Sequence, residues 1–393
     1  MADPSLSPQA RRAFLRLTGS AALTLALAAC QVVPKGPAGP TPPPQPGEPA
    51  IQLPPEETRN RVAVLAPLTG ENGGVGTSIA NAANLALLDT GGERIRITVY
   101  DTAKAGVAAA ANEALAEGNG LILGPLLSED VRAVAPIARA ARIPVIAFSN
   151  DVGIAGDGVY VMGFTPDQSI ERVVAYAQER GARRFAALIP EGVYGQRASQ
   201  AMLDAVKRSG GRMVAMQDYS RSPASLRAAI GRLNGQGEYD AVLIADGGRI
   251  AAVAAPILRG GPSKAARILG TELWSTDNAL GKTAALRGAW FAAPSDTLFG
   301  QLATRYRARY GKTPYRLASL GYDAVLLTMR IAANWRLGRP FPAREIESDE
   351  GFTGIDGAFR FRPDGTADRM LAVQEVTAGG TNMVSPAPRG FGK

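Results

Sequence analysis

Histidine is absent from the 393-residue chain, and cysteine occurs once, as Cys30. Catalytic centres of the Ser-His-Asp and Cys-His types need an imidazole to accept a proton from the nucleophile, so both are excluded. Zinc sites built from histidine and cysteine are excluded for the same reason. A single cysteine also cannot form a disulfide within one chain. We therefore expect no catalytic residue, no metal site and no cofactor.

Compact basic segments are also missing, although the formal net charge is +8. The arginines are scattered through predicted helices, and no block of lysine and arginine or basic stripe with interleaved aromatic residues occurs. Nucleic-acid binding usually shows such a stripe, so we expect no nucleic-acid partner. A generally positive surface would still favour the anionic cell envelope.

The first thirty residues have the pattern of a secretory signal. A pair of arginines, Arg11 and Arg12, precedes an apolar run from Leu17 to Ala29, which is too short to span a bilayer. The ending LAAC resembles the bacterial lipobox, in which the cysteine is lipidated, and this predicts a lipoprotein anchored through Cys30. An ordinary signal peptide that happens to contain a cysteine is the alternative. The arginine pair fits either a twin-arginine signal or a general positive region, so the export route stays open.

Residues 31–58 form a proline-rich linker. About ten prolines between Gln31 and Glu57 leave no amphipathic period, which predicts an extended, semi-rigid spacer. At ~3 Å per residue, the spacer would hold a domain on the order of 60–80 Å from a membrane.

From Arg61 onward, short apolar strands alternate with segments of helical period. This alternation predicts a parallel sheet with helices on both faces. About ten strand–helix units exceed one sheet of ordinary size, so we expect two similar α/β lobes. GAFRFRPDGTADRMLAVQEV near the end predicts a hairpin that turns at Pro363-Asp364-Gly365.

Ligands of open α/β sheets bind at the carboxyl ends of the strands. Those ends read PLTG, YDTA, GPLLSED, AFSND, PEGVYGQ, ADGG and GTELW. None carries a phosphate-binding fingerprint or a hydrolase elbow. Hydroxyl groups without an activating base, such as that of Thr69 in PLTG, suit ligand contact better than covalent chemistry.

Seven segments in order, PLTG, VYDT, GPL-x-S, PVIAFS, YG, GYDAV and FTGIDGAFRF, resemble the type I periplasmic-binding proteins of the leucine-binding group. VYDT followed by GPLL and LIP looks particularly like the lipoprotein activators of penicillin-binding proteins. The resemblance implies two Rossmann-like lobes joined by three hinge crossovers, near Phe164, Pro294 and Pro340. It assigns residues 59–164 and 295–340 to the first lobe and residues 165–294 and 341–376 to the second. Residues 377–393 are expected to be a flexible tail.

Ser128 has three interpretations. With Glu129 and Asp130 after it, the residue is a candidate N-cap of the following helix. In amino-acid binders of the family, the matching serine also contacts the ligand carboxylate. A nucleophile is the third interpretation, and no base is available to activate it.

The other family contacts transfer one residue at a time. Ala147 and Ser149 match the segment that offers backbone and hydroxyl contacts to an α-amino acid, and Tyr194 matches an aromatic residue of the second lobe. Glu272 is a match for the acid that pairs with a ligand ammonium. Asp246 stands where amino-acid binders often carry a second tyrosine, and this departure puts leucine-like specificity in doubt.

Three functions compete. The first is a non-enzymatic lipoprotein, anchored in the periplasm to the outer membrane, that activates a penicillin-binding protein. The second is a receptor that passes an amino acid or a similar small solute to an ABC permease. The third is an enzyme that uses carboxylates such as Asp246 and Glu272.

Overall fold

Two sheets with parallel strands at their centres organise the chain. The computed structural model describes residues 58–275, 277 and 280–391. The first sheet has five parallel strands in the order β2-β1-β3-β4-β5. Its strands are β1 Asn60–Ala66, β2 Ile95–Asp101, β3 Leu121–Leu123, β4 Val145–Ala147 and β5 Val159–Val161. All but one residue of β1 is buried, because helices cover both faces of the sheet.

Five helices surround this sheet and complete the first lobe. They are α1 Gly73–Asp89, α2 Val107–Ala116, α3 Ser128–Ala140, α8 Asp296–Tyr310 and α9 Ala318–Ile331. Helix α9 packs closely on α1, since a Cβ at Gly321 would lie 2.3 Å from the carbonyl oxygen of Ile79. Glycine at position 321 therefore lets the two backbones approach each other.

The second sheet has seven strands in the order β15-β14-β10-β9-β8-β6-β7. Strands β6 to β10 are parallel, β14 pairs antiparallel with β10, and β15 pairs antiparallel with β14. Its strands are β6 Arg184–Pro190, β7 Arg212–Tyr219, β8 Ala241–Ile244, β9 Arg267–Gly270, β10 Trp290–Ala293, β14 Ala372–Thr377 and β15 Gly380–Ser385.

Four helices flank the second sheet and form the second lobe with it. They are α4 Pro166–Glu179, α5 Val193–Arg208, α6 Pro223–Asn234 and α7 Gly248–Arg259. The prediction of two Rossmann-like α/β lobes is confirmed.

A small antiparallel sheet belongs to the first lobe. Its strands are β11 Phe352–Gly354, β12 Gly357–Phe361 and β13 Ala367–Arg369. Phe352, Phe359 and Phe361 are buried in the same core as strand β1. The assignment of residues 341–376 to the second lobe is thus wrong for the part up to β13. The hairpin turn is where the sequence predicted it, and the side chain of Asp364 accepts a hydrogen bond from the Thr366 N–H at 2.9 Å.

The expected flexible tail also needs correction. Strand β15 pairs with β14 from Thr377↔Gly380 to Val373↔Ser385, so residues 380–385 are part of the second sheet. The prediction of a tail came from the glycine, proline and serine content after Thr377, and the side chains of β15 are indeed exposed or half-buried. Main-chain hydrogen bonds place it at the sheet edge.

Within the residues that the structure describes, the chain crosses between the lobes three times, at residues 162–165, 294–295 and 370–371. The crossover expected near Pro340 lies instead after β13. Pro340 is followed by Phe341, which packs in the core of the first lobe.

Buried charges lie beside these crossovers. The Arg316 guanidinium is 2.6 Å from the Asp356 carboxylate, and Arg369 donates a hydrogen bond to the carbonyl oxygen of Met162 at 2.7 Å. The guanidinium of Arg369 also lies 4.9 Å from the ring centroid of Phe164. Residues of the first and third crossovers therefore contact each other directly.

Asp323 on α9 is the most deeply buried acid of this region. Its carboxylate accepts hydrogen bonds from the main-chain N–H of Ile355 at 2.6 Å and of Asp356 at 3.3 Å. Burial, together with the nearby charge of Asp356, raises the pKa of Asp323 to about 7. The protonation of Asp323 therefore affects the hydrogen bonds that join α9 to the turn after β11.

Candidate functional site

An interlobe groove of about 620 Å³ lies between the loop after β4 in the first lobe and helices α4 and α5 in the second. The first lobe contributes Val152 and Ala155 from the loop after β4, and the second lobe contributes Asp167 at the start of α4 and one face of α5 from Val193 to Asp204. The turn between β12 and β13 closes one side. We call this cavity the interlobe groove.

Asp151, in the loop after β4, links the two lobes. Its carboxylate lies 2.5 Å from the guanidinium of Arg132 on α3 and 3.5 Å from the guanidinium of Arg197 on α5. It also accepts a hydrogen bond from the Gly153 N–H at 2.9 Å. The Asp151 side chain is only 9% exposed, so these cations and this N–H group provide most of its solvation. We call Arg132, Asp151 and Arg197 the interlobe triad.

The loop that presents Asp151 contains two predicted ligand contacts. The Ser149 hydroxyl accepts a hydrogen bond from the Asp151 N–H at 3.2 Å, and the side chain is buried. The Ala147 carbonyl accepts a hydrogen bond from the Met162 N–H at 2.8 Å, and the Ala147 side chain is fully buried. Both groups therefore form hydrogen bonds within the first lobe, whereas the family resemblance led us to expect hydrogen bonds to a ligand.

Ser128 is the first residue of α3, and Leu127 occupies the N-cap position without a side-chain bond. The interpretation of Ser128 as the N-cap is therefore wrong. Its hydroxyl lies 3.3 Å from the Arg132 guanidinium and 3.4 Å from the Glu129 carboxylate. Ser128 is thus next to the interlobe triad, one helical turn before Arg132.

Thr69 is placed apart from this cluster. Its hydroxyl donates a weak hydrogen bond to Asp101 at 3.3 Å, and the other oxygen of Asp101 accepts from the Leu68 N–H at 2.9 Å. The bond from Leu68 is the main reason why the pKa of Asp101 is lowered. Thr69 therefore joins the ends of β1 and β2.

In the second lobe, Glu272 and Tyr194 are in direct contact. The Tyr194 hydroxyl lies 3.0 Å from Glu272 and 3.0 Å from the hydroxyl of Thr271, and the other Glu272 oxygen accepts a hydrogen bond from Ser169 on α4. Burial raises the pKa of Glu272 and of Tyr194. The acid expected to pair with a ligand ammonium is thus already bonded within its own lobe.

Asp246 is bonded just as fully. One of its oxygens accepts from the Tyr219 hydroxyl and from the Arg221 guanidinium, both at 2.9 Å, and the other accepts from the Gly247 N–H at 2.8 Å. The indole N–H of Trp274 donates to the Asp246 carbonyl oxygen at 2.8 Å. These bonds position the loop after β8 against the turn after β9.

The two acids at these strand ends form hydrogen bonds within the second lobe. The oxygens of Asp246 and Glu272 each accept bonds from neighbouring donors, so neither acid is presented as a free base. Residues 58–275, 277 and 280–391 contain no group of three or more cysteine, aspartate and glutamate side chains suited to hold a metal ion. Within the same residues, no helix is both long and apolar enough to cross a bilayer.

A family model described as periplasmic binding protein matches residues 60–381 of the chain. The chain belongs to the periplasmic binding protein family. This membership supports a periplasmic location.

Two kinds of solved structure resemble this periplasmic binding protein. A protein assigned to a branched-chain amino acid ABC transporter of Rhodospirillum rubrum has a TM-score of 0.70 at 20% identity and covers 83% of this chain and 100% of its own. The C-domain of LpoA from Haemophilus influenzae, a regulator of PBP1A, has a TM-score of 0.66 at 19% identity and covers 83% of this chain and 100% of its own. At this identity, both show the fold alone.

A curated relative is the penicillin-binding protein activator LpoA of Serratia proteamaculans, which is 27% identical over 123 residues, 31% of this chain and 18% of that protein. The chain spans less than half the length of the curated relatives it matches.

Sequence reasoning missed the interlobe triad of this periplasmic binding protein. Asp151 is the last residue of the strand-end segment AFSND, two residues after Ser149, and Arg197 directly follows PEGVYGQ. Opposite charges on a strand-end loop and in the first turns of the helix after another strand are the signal that points to such a pair. Because the residues lie on different lobes, only the fold brings them together.

Proposed function

We propose that this periplasmic binding protein is a non-enzymatic envelope lipoprotein that binds and activates a penicillin-binding protein, a peptidoglycan synthase. The observation that carries the proposal is the interlobe triad. Arg197 of the second lobe and Arg132 of the first both bond Asp151, so the protein's own side chains connect the lobes where a solute receptor would use its ligand.

The predicted ligand contacts support the same interpretation. Glu272 and Tyr194 bond each other, and Asp246 bonds three donors of its own lobe. An amino acid would have to displace these bonds before it gained its own, and the lost bonds would offset the gain in binding free energy. Activation of a synthase needs only a surface contact and no occupied groove.

The envelope position is part of the proposal. The family supports the periplasm, and the lipobox predicts a lipid anchor at Cys30, which we assign to the outer membrane, with residues 31–58 as a spacer. Cys30 lies outside the described residues. A tethered body of this kind can contact a synthase at a distance from its anchor.

The second candidate is a receptor that delivers an amino acid or similar small polar solute to an ABC permease. It is favoured by the position of Tyr194 and Glu272 at strand ends of the second lobe, where the resemblance places contacts to a ligand ammonium. In this case, Asp151 would release Arg197 when the lobes open.

One pair of assays separates the two candidates. The purified chain is mixed with a bifunctional penicillin-binding protein of the same organism, and the rate of glycan polymerisation is measured. A higher rate supports the activator. In parallel, thermal unfolding is recorded with a panel of amino acids. A ligand a thousandfold above its Kd would add about 4 kcal/mol of stability. An unchanged polymerisation rate combined with such a stabilisation would reverse our conclusion.

A further inference from the structure

A second cavity lies at the opposite end of the first lobe. It has a volume of about 800 Å³ and is lined by the start of β1, the turns after α2 and α3, and the segment after α9. These positions are at the amino ends of the parallel strands, whereas the interlobe groove is at their carboxyl ends. We call this cavity the basal groove.

The basal groove carries uncompensated positive charge. Arg59, Arg61, Arg142 and Arg339 line it, and no aspartate or glutamate is among the lining residues that the structure describes. Within the described part of the chain, none of the four arginines forms an ion pair. The Arg61 guanidinium donates a hydrogen bond to the main-chain oxygen of Glu117. Four guanidinium groups around one cavity repel one another, and a bound anion would relieve that repulsion.

Arg59 provides an independent indication of a ligand. Its side chain is 6% exposed, and its Nε and Nη1 atoms have no hydrogen-bond partner among residues 58–275, 277 and 280–391. A guanidinium always carries its charge, and a buried charge without acceptors is costly. An anion in the groove, which Arg59 lines, would compensate this buried charge.

The walls of the groove are held in place by neighbouring contacts. The Trp335 indole N–H donates to the Arg339 carbonyl oxygen at 2.7 Å, and Asn60 donates to the Trp335 carbonyl oxygen at 2.9 Å. A Cβ at Gly120 would lie 2.7 Å from the Trp335 ring, so the ring packs directly on the backbone there. The cavity is therefore formed before any ligand arrives, which lowers the entropy cost of binding.

We propose that the basal groove binds a phosphate-bearing ligand through these four arginines. A carboxylate has one charge and matches a single guanidinium, whereas a phosphate group has more oxygen acceptors and can accept from several guanidinium forks at once. The phosphate can belong to a soluble compound or to a lipid headgroup. This inference does not depend on the proposed synthase partner.

The test uses the full chain with Cys30→Ser, which removes the expected lipidation site. Binding of inorganic pyrophosphate is measured by calorimetry at low salt, and binding of phosphatidylglycerol vesicles is measured by sedimentation against vesicles of phosphatidylcholine alone. The substitutions Arg142→Ala and Arg339→Ala, both at exposed positions, are compared with Arg227→Ala on α6. Each variant loses one positive charge, so a general charge effect would change all three equally.

We expect each groove variant to weaken binding about tenfold, because a hydrogen bond to a charged group is lost, and Arg227→Ala to change it by less than about twofold. Arg59→Met should abolish binding, and a thermal melting curve shows whether this variant folds. If it does not fold, Arg142→Ala and Arg339→Ala alone decide the test. Pyrophosphate binding alone indicates a soluble ligand, and groove-dependent vesicle binding indicates a headgroup. Citrate, which has carboxylates and no phosphate, is measured in the same calorimetric assay. The proposal is overturned if citrate binds more tightly than pyrophosphate or if neither pyrophosphate nor the vesicles bind. It is also overturned if the three alanine substitutions change the affinity equally.

Discussion

The interlobe triad predicts that a single arginine on α5 helps to hold the two lobes together. The perturbation is Arg197→Ala, which leaves Asp151 bonded to Arg132 and Gly153. Arg197 is 46% exposed and 3.5 Å from the carboxylate, so water screens the pair. We expect the substitution to cost about 0.5–1 kcal/mol. At the upper end, the ratio of open to closed lobes would rise about fivefold.

Asp151→Ala should cost more, because it removes the acceptor of both guanidinium groups and of the Gly153 N–H. We expect about 2–3 kcal/mol, of which the Arg132 contact at 2.5 Å is the largest part. Combined with Arg197→Ala, the two substitutions form a double-mutant cycle, and the free energy of unfolding in urea gives the coupling between the lobes.

The matched control is Arg208→Ala. Arg208 pairs with Glu171 at 3.2 Å, and both partners belong to the second lobe. It should lower stability by a similar small amount without changing lobe separation, which small-angle X-ray scattering reports as the radius of gyration. A coupling energy of zero between positions 151 and 197, or an equal expansion in the two arginine variants, would refute the reasoning.

Two other predictions concern α9 and its surroundings. The pKa of Asp323 is raised to about 7, so the folded chain holds a proton that the unfolded chain releases near pH 4. The contribution of Asp323 to the free energy of unfolding therefore falls as pH rises from about 4 to about 7. Asp323→Asn should remove this pH dependence, which denaturant unfolding curves recorded at pH 5 and pH 8 would show. An unchanged pH dependence would contradict the assignment. Gly321→Ala should destabilise by about 1–3 kcal/mol, because the new methyl group meets the Ile79 carbonyl oxygen. Gly300→Ala on α8, with nothing within 4 Å, should stabilise by about 0.5–1 kcal/mol under the same denaturation assay, and equal effects would argue against the packing of α9 on α1.

The alternation of strands and helices could be predicted because parallel strands covered on both faces have continuous apolar sequences, as in β1. The third crossover could not. Phe352, Phe359 and Phe361 indicate a buried strand pair, but their pattern does not say which core they enter. Strand β15 was missed because its side chains are mostly polar and its main-chain bonds leave no trace in composition.

The candidate site, like the fold, could be predicted from the sequence only in part. Family motifs led to Tyr194 and Glu272, and the structure places the two side chains in contact. That Glu272 is bonded within its own lobe could not be predicted, since its partner Ser169 precedes it by more than a hundred residues. The bond between Asp151 and Arg197 likewise depends on how the lobes face each other.

The position of β14 has a consequence for synthesis on the ribosome. Strand β10 gains its outer neighbour only when residues 372–377 have emerged, after the remaining part of the first lobe, α8, α9 and strands β11 to β13, has been synthesised in between. Until then, β10 is an uncovered edge, and the indole of Trp290 lacks the Glu375 carboxylate that accepts its hydrogen bond at 2.8 Å. A nascent chain halted near residue 370 would expose this edge to other chains, so premature termination should produce aggregates rather than a shortened soluble protein.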